Sequence, residues 1–322
     1  MVEWMPTATS DVLAHRAMVL MHARNFFVDR GVVEVDTPMI VNAPVTDVHI
    51  HSAKVEFPDS ARRFFLHTSP EYAMKRLLAA GSGDIFQICH VVRGLESGSQ
   101  HNAEFTLIEW YRLGYTLDRL MNEVETLVRT LLGEIAFDLS SEQLSYEEAF
   151  LQALDLDPIT ASMEELSAAA VEAGFSAESQ RGAQRDELLE LLMGTVIGPK
   201  LGQTSLTFIY NYPASQAALA RVNPLDPRYA LRFELYCKGM ELANGFLELY
   251  DADEQRERFE QDNEERQRRG LPAYPIDERL LAALQAGLPE CAGVAVGFDR
   301  VMMLAAEVDH IDAVLPFPTD IA

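Results

Sequence analysis

The sequence predicts an α+β fold, an antiparallel β-sheet flanked by helices. Short strand-like segments recur along most of the chain, few of the stretches between them read as parallel crossovers, and amphipathic helices stand beside them. Hydrophobic residues make up 48% of the 322 positions, so a sizeable core is available. The length suits one large domain or two small ones.

From the N-terminus, Ser10 is placed to cap a helix that starts at Asp11 and is amphipathic through Val12, Val19, Phe26 and Phe27, with Gly31 closing it. Val32 to Pro38 has strand character and ends at a proline, which cannot donate to a ladder. Phe64 to His67 reads as a short strand, Pro70 to Leu78 as a helix, and Asp84 to Val92 as an alternating strand. Arg93 to Asn102, rich in Gly, Ser and Gln, should be a loop before a strand at Phe105 to Tyr111. Leu117 to Leu132 is a strong amphipathic helix. From about 140 to 200 the chain is acidic and helix-prone and carries no recognisable chemistry, so a solvated helical insertion is expected. Strands resume at Leu206 to Tyr210, Arg232 to Lys238 and Glu241 to Leu249, followed by a charged helix from Ala252 to Arg269. Gly293 to Arg300 reads as strand, turn and helix.

Lys and Arg number 26 against 50 Asp and Glu, a formal charge of −24. Nucleic-acid binders draw much of their affinity from a basic face, so tRNA or DNA is not expected as a partner. Cys89, Cys237 and Cys291 fit no metal or CxxC spacing and read as buried reduced thiols. No signal peptide and no apolar run of membrane-spanning length is visible; no membrane partner is expected and the cytoplasm is the default.

Three segments could carry chemistry. They are Arg93 with the loop ending His101-Asn102-Ala103-Glu104-Phe105-Thr106, the set Glu234, Glu241, Asn244 and Glu248, and Gly297-Phe298-Asp299-Arg300 at a helix start. Singly, each has a bland reading: a surface cation, solvated carboxylates that share one face only if a turn or bulge intervenes, and a tight turn.

Together, in this order, they resemble the catalytic core of the class II aminoacyl-tRNA synthetases. Asp11 to Pro38 resembles motif 1, Arg93 with His101 to Thr106 resembles motif 2, and Gly293 to Arg300 resembles motif 3. Ser69-Pro70-Glu71 with Lys75-Arg76-Leu77, Ile108-Glu109-Trp110-Tyr111 and Glu241 to Leu249 are similar to the lysyl-tRNA synthetase branch. That branch carries an anticodon-binding OB domain before the core. Here motif 1 starts about ten residues in, so residues 1–322 are expected to be a single catalytic domain without an anticodon-binding domain. Among stand-alone cores, Pro213 to Ala217, Glu241 to Glu248 and Ala295, where lysyl-tRNA synthetases have glycine, resemble the elongation factor P–(R)-β-lysine ligase family.

The resemblance implies a class II synthetase-like sheet and a homodimer built on motif 1. It implies a ligase that activates (R)-β-lysine or lysine with ATP and Mg²⁺ as an adenylate, then transfers it to a lysine of elongation factor P. Arg93 and Arg300 are the implied catalytic residues, on the α- and γ-phosphates. Gly94, Leu95, His101, Asn102, Phe105, Glu241, Leu242 and Gly297 complete the ATP site, with Phe105 under adenine, and Glu234 and Glu241 are implied Mg²⁺ ligands. Ser69, Pro70, Glu71, Glu109, Tyr111, Asn244 and Glu248 would hold the amino acid, the carboxylates meeting its two ammonium groups. Motif 2 departs from the family pattern: Leu95 stands where a glutamate near adenine is usual, and Glu96 follows it. Either Glu96 substitutes through a local shift, or adenine is held less specifically. The rival readings are a truncated lysyl-tRNA synthetase-like enzyme charging tRNA or a small acceptor, and a catalytically inactive regulator.

Overall fold

The computed structural model describes residues 4–58, 62–94 and 98–322. In chain order the elements are helix α1 (Ser10–Val28), strands β1 (Val33–Glu34), β2 (Ile40–Val41), β3 (Lys54–Val55) and β4 (Phe64–Leu66), helix α2 (Glu71–Ala79), strands β5 (Ile85–Val92) and β6 (Glu104–Leu113), and helix α3 (Leu117–Leu132). Then come β7 (Ser140–Ser145), α4 (Tyr146–Leu154), α5 (Met163–Glu172), α6 (Arg185–Leu192), β8 (Ser205–Pro213), β9 (Tyr229–Cys237), β10 (Met240–Leu247), α7 (Ala252–Arg268), α8 (Glu278–Gly287), β11 (Cys291–Gly297) and α9 (Phe298–Ala305).

The main sheet runs β1-β5-β6-β11-β10-β9-β8-β7. Its interior pairs are all antiparallel, as expected, while β1 on β5 and β7 on β8 add a parallel strand at each edge. Strand alternation sorts the residues of β6 between two faces. Ile108 and Trp110 point into the main core with Val294 and Val296 of β11, under α1, α3 and α9. α3 supplies Leu120, Val124, Leu127, Val128 and Leu131, apolar residues at helical spacing, to that core. Phe105, Leu107, Glu109 and Tyr111 point to the opposite face, which α2, α7 and α8 border.

Several elements differ from the expectation. Thr9 rather than Ser10 caps α1, accepting from the Val12 amide at 3.3 Å. The segment 32–38 pairs over two residues only. Phe64–Leu66 belongs to a separate three-stranded sheet, β2-β4-β3. Cys89 is half-buried, whereas Cys237 and Cys291 are buried.

The segment from 140 to 200 is not a solvated helical insertion. It opens with β7, which extends the main sheet, and its helices bury Tyr146, Phe150, Leu166, Leu188, Leu189 and Leu192 against Ile209, Tyr212 and Tyr236 of the sheet. Capping boxes at Ser145–Glu148 and Ser162–Glu165 start α4 and α5. The acidic residues mark the outer faces of a packed layer.

Candidate active site

A cavity of about 1080 Å³ lies over the sheet face that carries Glu109 and Tyr111. Its floor follows from register. On β11, Gly293 lies beside Tyr111 and Ala295 beside Glu109; on β10, Phe246 and Asn244 flank the same two small residues. The small β11 residues leave room over the strand, and the neighbouring strands supply the charges. A Cβ on Gly293 would overlap both the Tyr111 ring and Glu248 Oε1, so this position excludes any side chain.

Ser69, Pro70, Glu71, Arg93, Glu109, Tyr111, Asn244 and Glu248 all line the cavity. Pro70 is the N-cap residue of α2, which brings Ser69 and Glu71 to the wall. Ser69 Oγ donates to Glu109 Oε2 at 2.7 Å and accepts the Glu71 amide at 3.0 Å. Tyr111 donates to Glu109 Oε1 at 2.8 Å. Asn244 Oδ1 accepts from Arg232 Nε at 3.3 Å.

Lys75, one helical turn after Glu71, reaches the same carboxylates. Its Nζ lies 2.7 Å from Glu71 Oε1 and 2.6 Å from Glu248 Oε2, and the side chain is 1% exposed. The residues expected to meet substrate ammoniums therefore already share an ammonium of the protein. The i, i+4 spacing of Glu71 and Lys75 is visible in the sequence, but it names no role.

The electrostatics follow from burial. Desolvation first, then repulsion by Glu71, pushes Glu109 up to about 8 against the hydrogen bonds of Ser69 and Tyr111. Desolvation raises Glu248 to about 7 despite Lys75. An unfolded glutamate titrates near its ordinary value, so over the interval up to about 8 the folded state binds more protons than the unfolded one. The stability these groups contribute is fully present below the ordinary glutamate range and is lost as pH rises through about 7 to 8. Denaturant unfolding of the ligand-free protein should give a lower free energy at about pH 8.5 than at about pH 6.5, and Glu109→Gln should shrink the difference.

The second half of the site adjoins this cavity. Arg93 is a wall residue whose Nε donates to the Thr68 carbonyl at 3.3 Å and whose guanidinium stands 5.1 Å from the centroid of the Phe105 ring. The Gly94 amide donates to the His51 carbonyl at 2.6 Å. Arg300 donates to the Glu241 carbonyl at 2.7 Å and the Gln100 carbonyl at 3.3 Å, and its Nη2 lies 2.7 Å from His101 Nε2. Gly297 is the N-cap of α9, one turn before Arg300. Asn102 is committed to the fold: its Nδ2 donates to the Glu104 carbonyl at 2.6 Å, and its Oδ1 accepts the amide of Thr319 in the C-terminal segment at 3.0 Å. Leu95 and Glu96 lie outside the described residues.

Glu234, Glu241 and Glu248 cannot share the face of a regular strand pair. A register shift between Glu241 and Ala243 resolves this. It sets Glu241 opposite Tyr236 and Asn244 opposite Glu234, bringing Glu241 onto the cavity-side face. Leu242 consequently turns into the main core at 2% exposure and offers a nucleotide only its backbone.

Glu241 and Glu234 differ as cation ligands. Glu234 Oε2 accepts from Tyr212 and Tyr236, both at 2.6 Å, and Oε1 accepts from Arg232 at 2.5 Å. Glu241 has an Arg300 nitrogen 3.9 Å away, and desolvation with repulsion from Glu234 raises it to about 7 against Arg300, Arg232 and Arg93. A carboxylate held up in this way gains from a neighbouring cation. No cluster of three or more metal-binding side chains exists among the described residues. Mg²⁺ needs none when substrate phosphates and water complete its shell. The donor set therefore fits Mg²⁺ through Glu241, with Glu234 already saturated behind it.

Sequence reasoning missed Lys75 as a pocket residue, the Tyr212–Arg232–Tyr236 clamp on Glu234, and the tie between motifs. In that tie Asp299 accepts from Arg16 at 2.5 Å and from the Thr106 amide at 2.6 Å, joining α9 to α1 and β6. Arg232 and Tyr236 stand two residues to either side of Glu234 on one strand face, a spacing that could have signalled the clamp.

Comparison with known proteins agrees with this architecture. The family model described as tRNA synthetases class II (D, K and N) matches residues 1–321. An elongation factor P–(R)-β-lysine ligase of Vibrio cholerae serotype O1 is 50% identical over 322 residues, covering 98% of each chain. One of Proteus mirabilis is 49% identical, over 98% of this chain and 97% of its own. One of Photobacterium profundum is also 49% identical, over 99% of both. With residues 1–321 matched by the family model and nearly its whole length matched by these relatives, the chain belongs to the class II tRNA synthetases of the D, K and N group, within the elongation factor P–(R)-β-lysine ligase family.

Proposed function

We propose that residues 1–322 act as one catalytic domain that activates (R)-β-lysine with ATP and joins it to a lysine side chain of elongation factor P. The observation that carries this reading is the cavity itself. Glu71, Glu109 and Glu248, with the Tyr111 hydroxyl bonded to Glu109, form a carboxylate-lined wall for a diammonium substrate, and Arg93 leads from that wall to the nucleotide side. The relatives at 48–50% identity carry the name of this activity.

In the first step a substrate carboxylate oxygen attacks the α-phosphorus of ATP and pyrophosphate leaves. Arg93 stabilises the charge growing there, Arg300 holds the far phosphates, and Phe105 stacks with adenine. Mg²⁺, held through Glu241, supplies neutralisation of the triphosphate. Asn244 orients the reacting carboxylate, and Glu109 and Glu248 hold the ammonium ends. In the second step the acceptor amine attacks the acyl carbon, the bond to AMP breaks, and an amide forms. An acceptor that is a translation factor places the reaction in the cytoplasm. Met18, Met21 and Val28 of α1 and Val33 of β1 are exposed, and a second copy of the chain is the proposed cover. A monomer by sedimentation at working concentration would remove that part.

Pyrophosphate exchange with (R)-β-lysine, α-lysine and no amino acid tests the first step, and label transfer to elongation factor P or tRNA tests the second. Exchange with (R)-β-lysine and label on the protein acceptor is expected. Exchange with α-lysine alone and label on tRNA would replace the reading with tRNA charging. Gly293→Ala should raise the KM for (R)-β-lysine about tenfold or more, because overpacking of such a site costs about 1–3 kcal/mol. An unchanged KM would show that the substrate lies elsewhere.

A further inference from the structure

The cavity is larger than the charges assigned to the amino acid require, and its far wall is built differently. Beyond Glu71 it is bounded by Tyr72 of α2, Gln255 and Asp262 of α7, Asp47 in the loop before β3, and Asp277 at the start of α8. Gln255 is 1% exposed, and among the described residues neither its Oε1 nor its Nε2 has a hydrogen-bond partner. The Tyr72 hydroxyl is buried and also without a hydrogen-bond partner among the described residues. A buried amide and phenol without partners are costly arrangements that a ligand can relieve.

The chemistry of that ligand follows from the carboxylates. Asp262 is bonded to the Thr46 hydroxyl at 2.6 Å, and Asp277 accepts the Arg279 and Leu280 amides at 2.9 and 3.0 Å. Neither they nor Asp47 form an ion pair among the described residues. Arg258 and Arg266 stand four residues to either side of Asp262 on α7 and are both tied elsewhere, Arg258 to Glu254 and the Ala218 and Ala220 carbonyls, Arg266 to the Pro272 and Asp47 carbonyls. Desolvation pushes Asp262 up to about 6, with Asp47 adding to it, against the Thr46 hydrogen bond and the charges of Arg266 and Arg258. Lys75 serves the other side of α2, at Glu71 and Glu248, and supplies nothing here.

We propose that Tyr72, Gln255, Asp262 and Asp277 form a second cation subsite of the cavity, which receives the side-chain ammonium of the acceptor lysine before transfer. The proposal rests on the reading above, in which one substrate brings its ammoniums to Glu109 and Glu248 while a second delivers another amine into the same space. An acceptor lysine has a long apolar stem and a single charged tip. A half-buried acidic end with a buried amide and a phenol to accept from that tip matches it.

The two half-reactions separate this subsite from the amino-acid pocket. Asp262→Asn and Gln255→Leu are each compared with the unaltered protein in pyrophosphate exchange with (R)-β-lysine and in transfer to elongation factor P at varied acceptor concentration. Exchange is expected to stay within about twofold, while the KM for elongation factor P rises about 10- to 100-fold, the scale of hydrogen bonds to a charged group. Gln255→Leu replaces an unpartnered amide with an apolar side chain of similar size, so it keeps the test open if Asp262→Asn fails to fold. An unchanged acceptor KM in folded variants overturns the subsite. A matching rise in the KM for (R)-β-lysine also overturns it, by returning these residues to the amino-acid pocket. Absence of exchange in the unaltered protein strikes instead at the parent reading, and the proposal falls with it.

Discussion

Arg93→Ala should lower pyrophosphate exchange about 100- to 1,000-fold, the usual loss when one preorganised donor to a growing negative charge is removed. Among the described residues the side chain has one weak hydrogen bond to the fold, at 3.3 Å to the Thr68 carbonyl, and it rests over the Phe105 ring. Neither contact anchors the core. The melting temperature should therefore move by only a few degrees, on the scale of about 1 kcal/mol. Arg93→Lys should recover little, because a point charge on a flexible stem does not reproduce a planar fork. Exchange kinetics beside thermal unfolding checks the prediction, and a variant that unfolds without a specific loss of exchange would make Arg93 structural.

The second large effect is expected in stability. Lys75→Met leaves Glu71 and Glu248 facing each other without the ammonium that lies within 2.7 Å of both. Breaking a buried ion pair in this way typically costs about 3–5 kcal/mol, a large part of the total for most domains. The companion variant Lys75→Met with Glu248→Gln should regain part of that loss, since one buried charge then goes with its partner. Added (R)-β-lysine should raise the melting temperature of Lys75→Met more than that of the unaltered protein, because a substrate ammonium can take the vacated role. Equal shifts would mean that Lys75 and the substrate do not share carboxylates.

The strand at 105–111, the strand, turn and helix from 293 to 300 and the amphipathic spacing of α3 were all legible in the sequence. The spread of Glu234, Glu241 and Glu248 left the site ambiguous, because no residue in Glu241-Leu242-Ala243 marks a bulge; the backbone irregularity appears only once β9 and β10 pair. β7 was hidden for a related reason. Ser140–Ser145 is a polar edge strand whose pairing depends on β8, not on an alternating apolar pattern of its own. The charge of 140–200 masked a packed layer, since acidic outer faces dominate composition while Phe150 and Leu166 do the packing. The cluster around Glu234 joins side chains from β8 and β9, a tertiary relation no local pattern encodes.

Gly293, Ala295 and Gly297 lie in line along β11, the first two between the strands that supply the charged side chains. This divides recognition into two inherited quantities. The carboxylates decide what class of molecule can enter, and the atoms missing from β11 decide its outline. At Ala295 a methyl lost widens the outline without adding or removing a charge, whereas Gly293 admits no methyl. The outline can therefore change at Ala295 while the charges that line the cavity stay as they are.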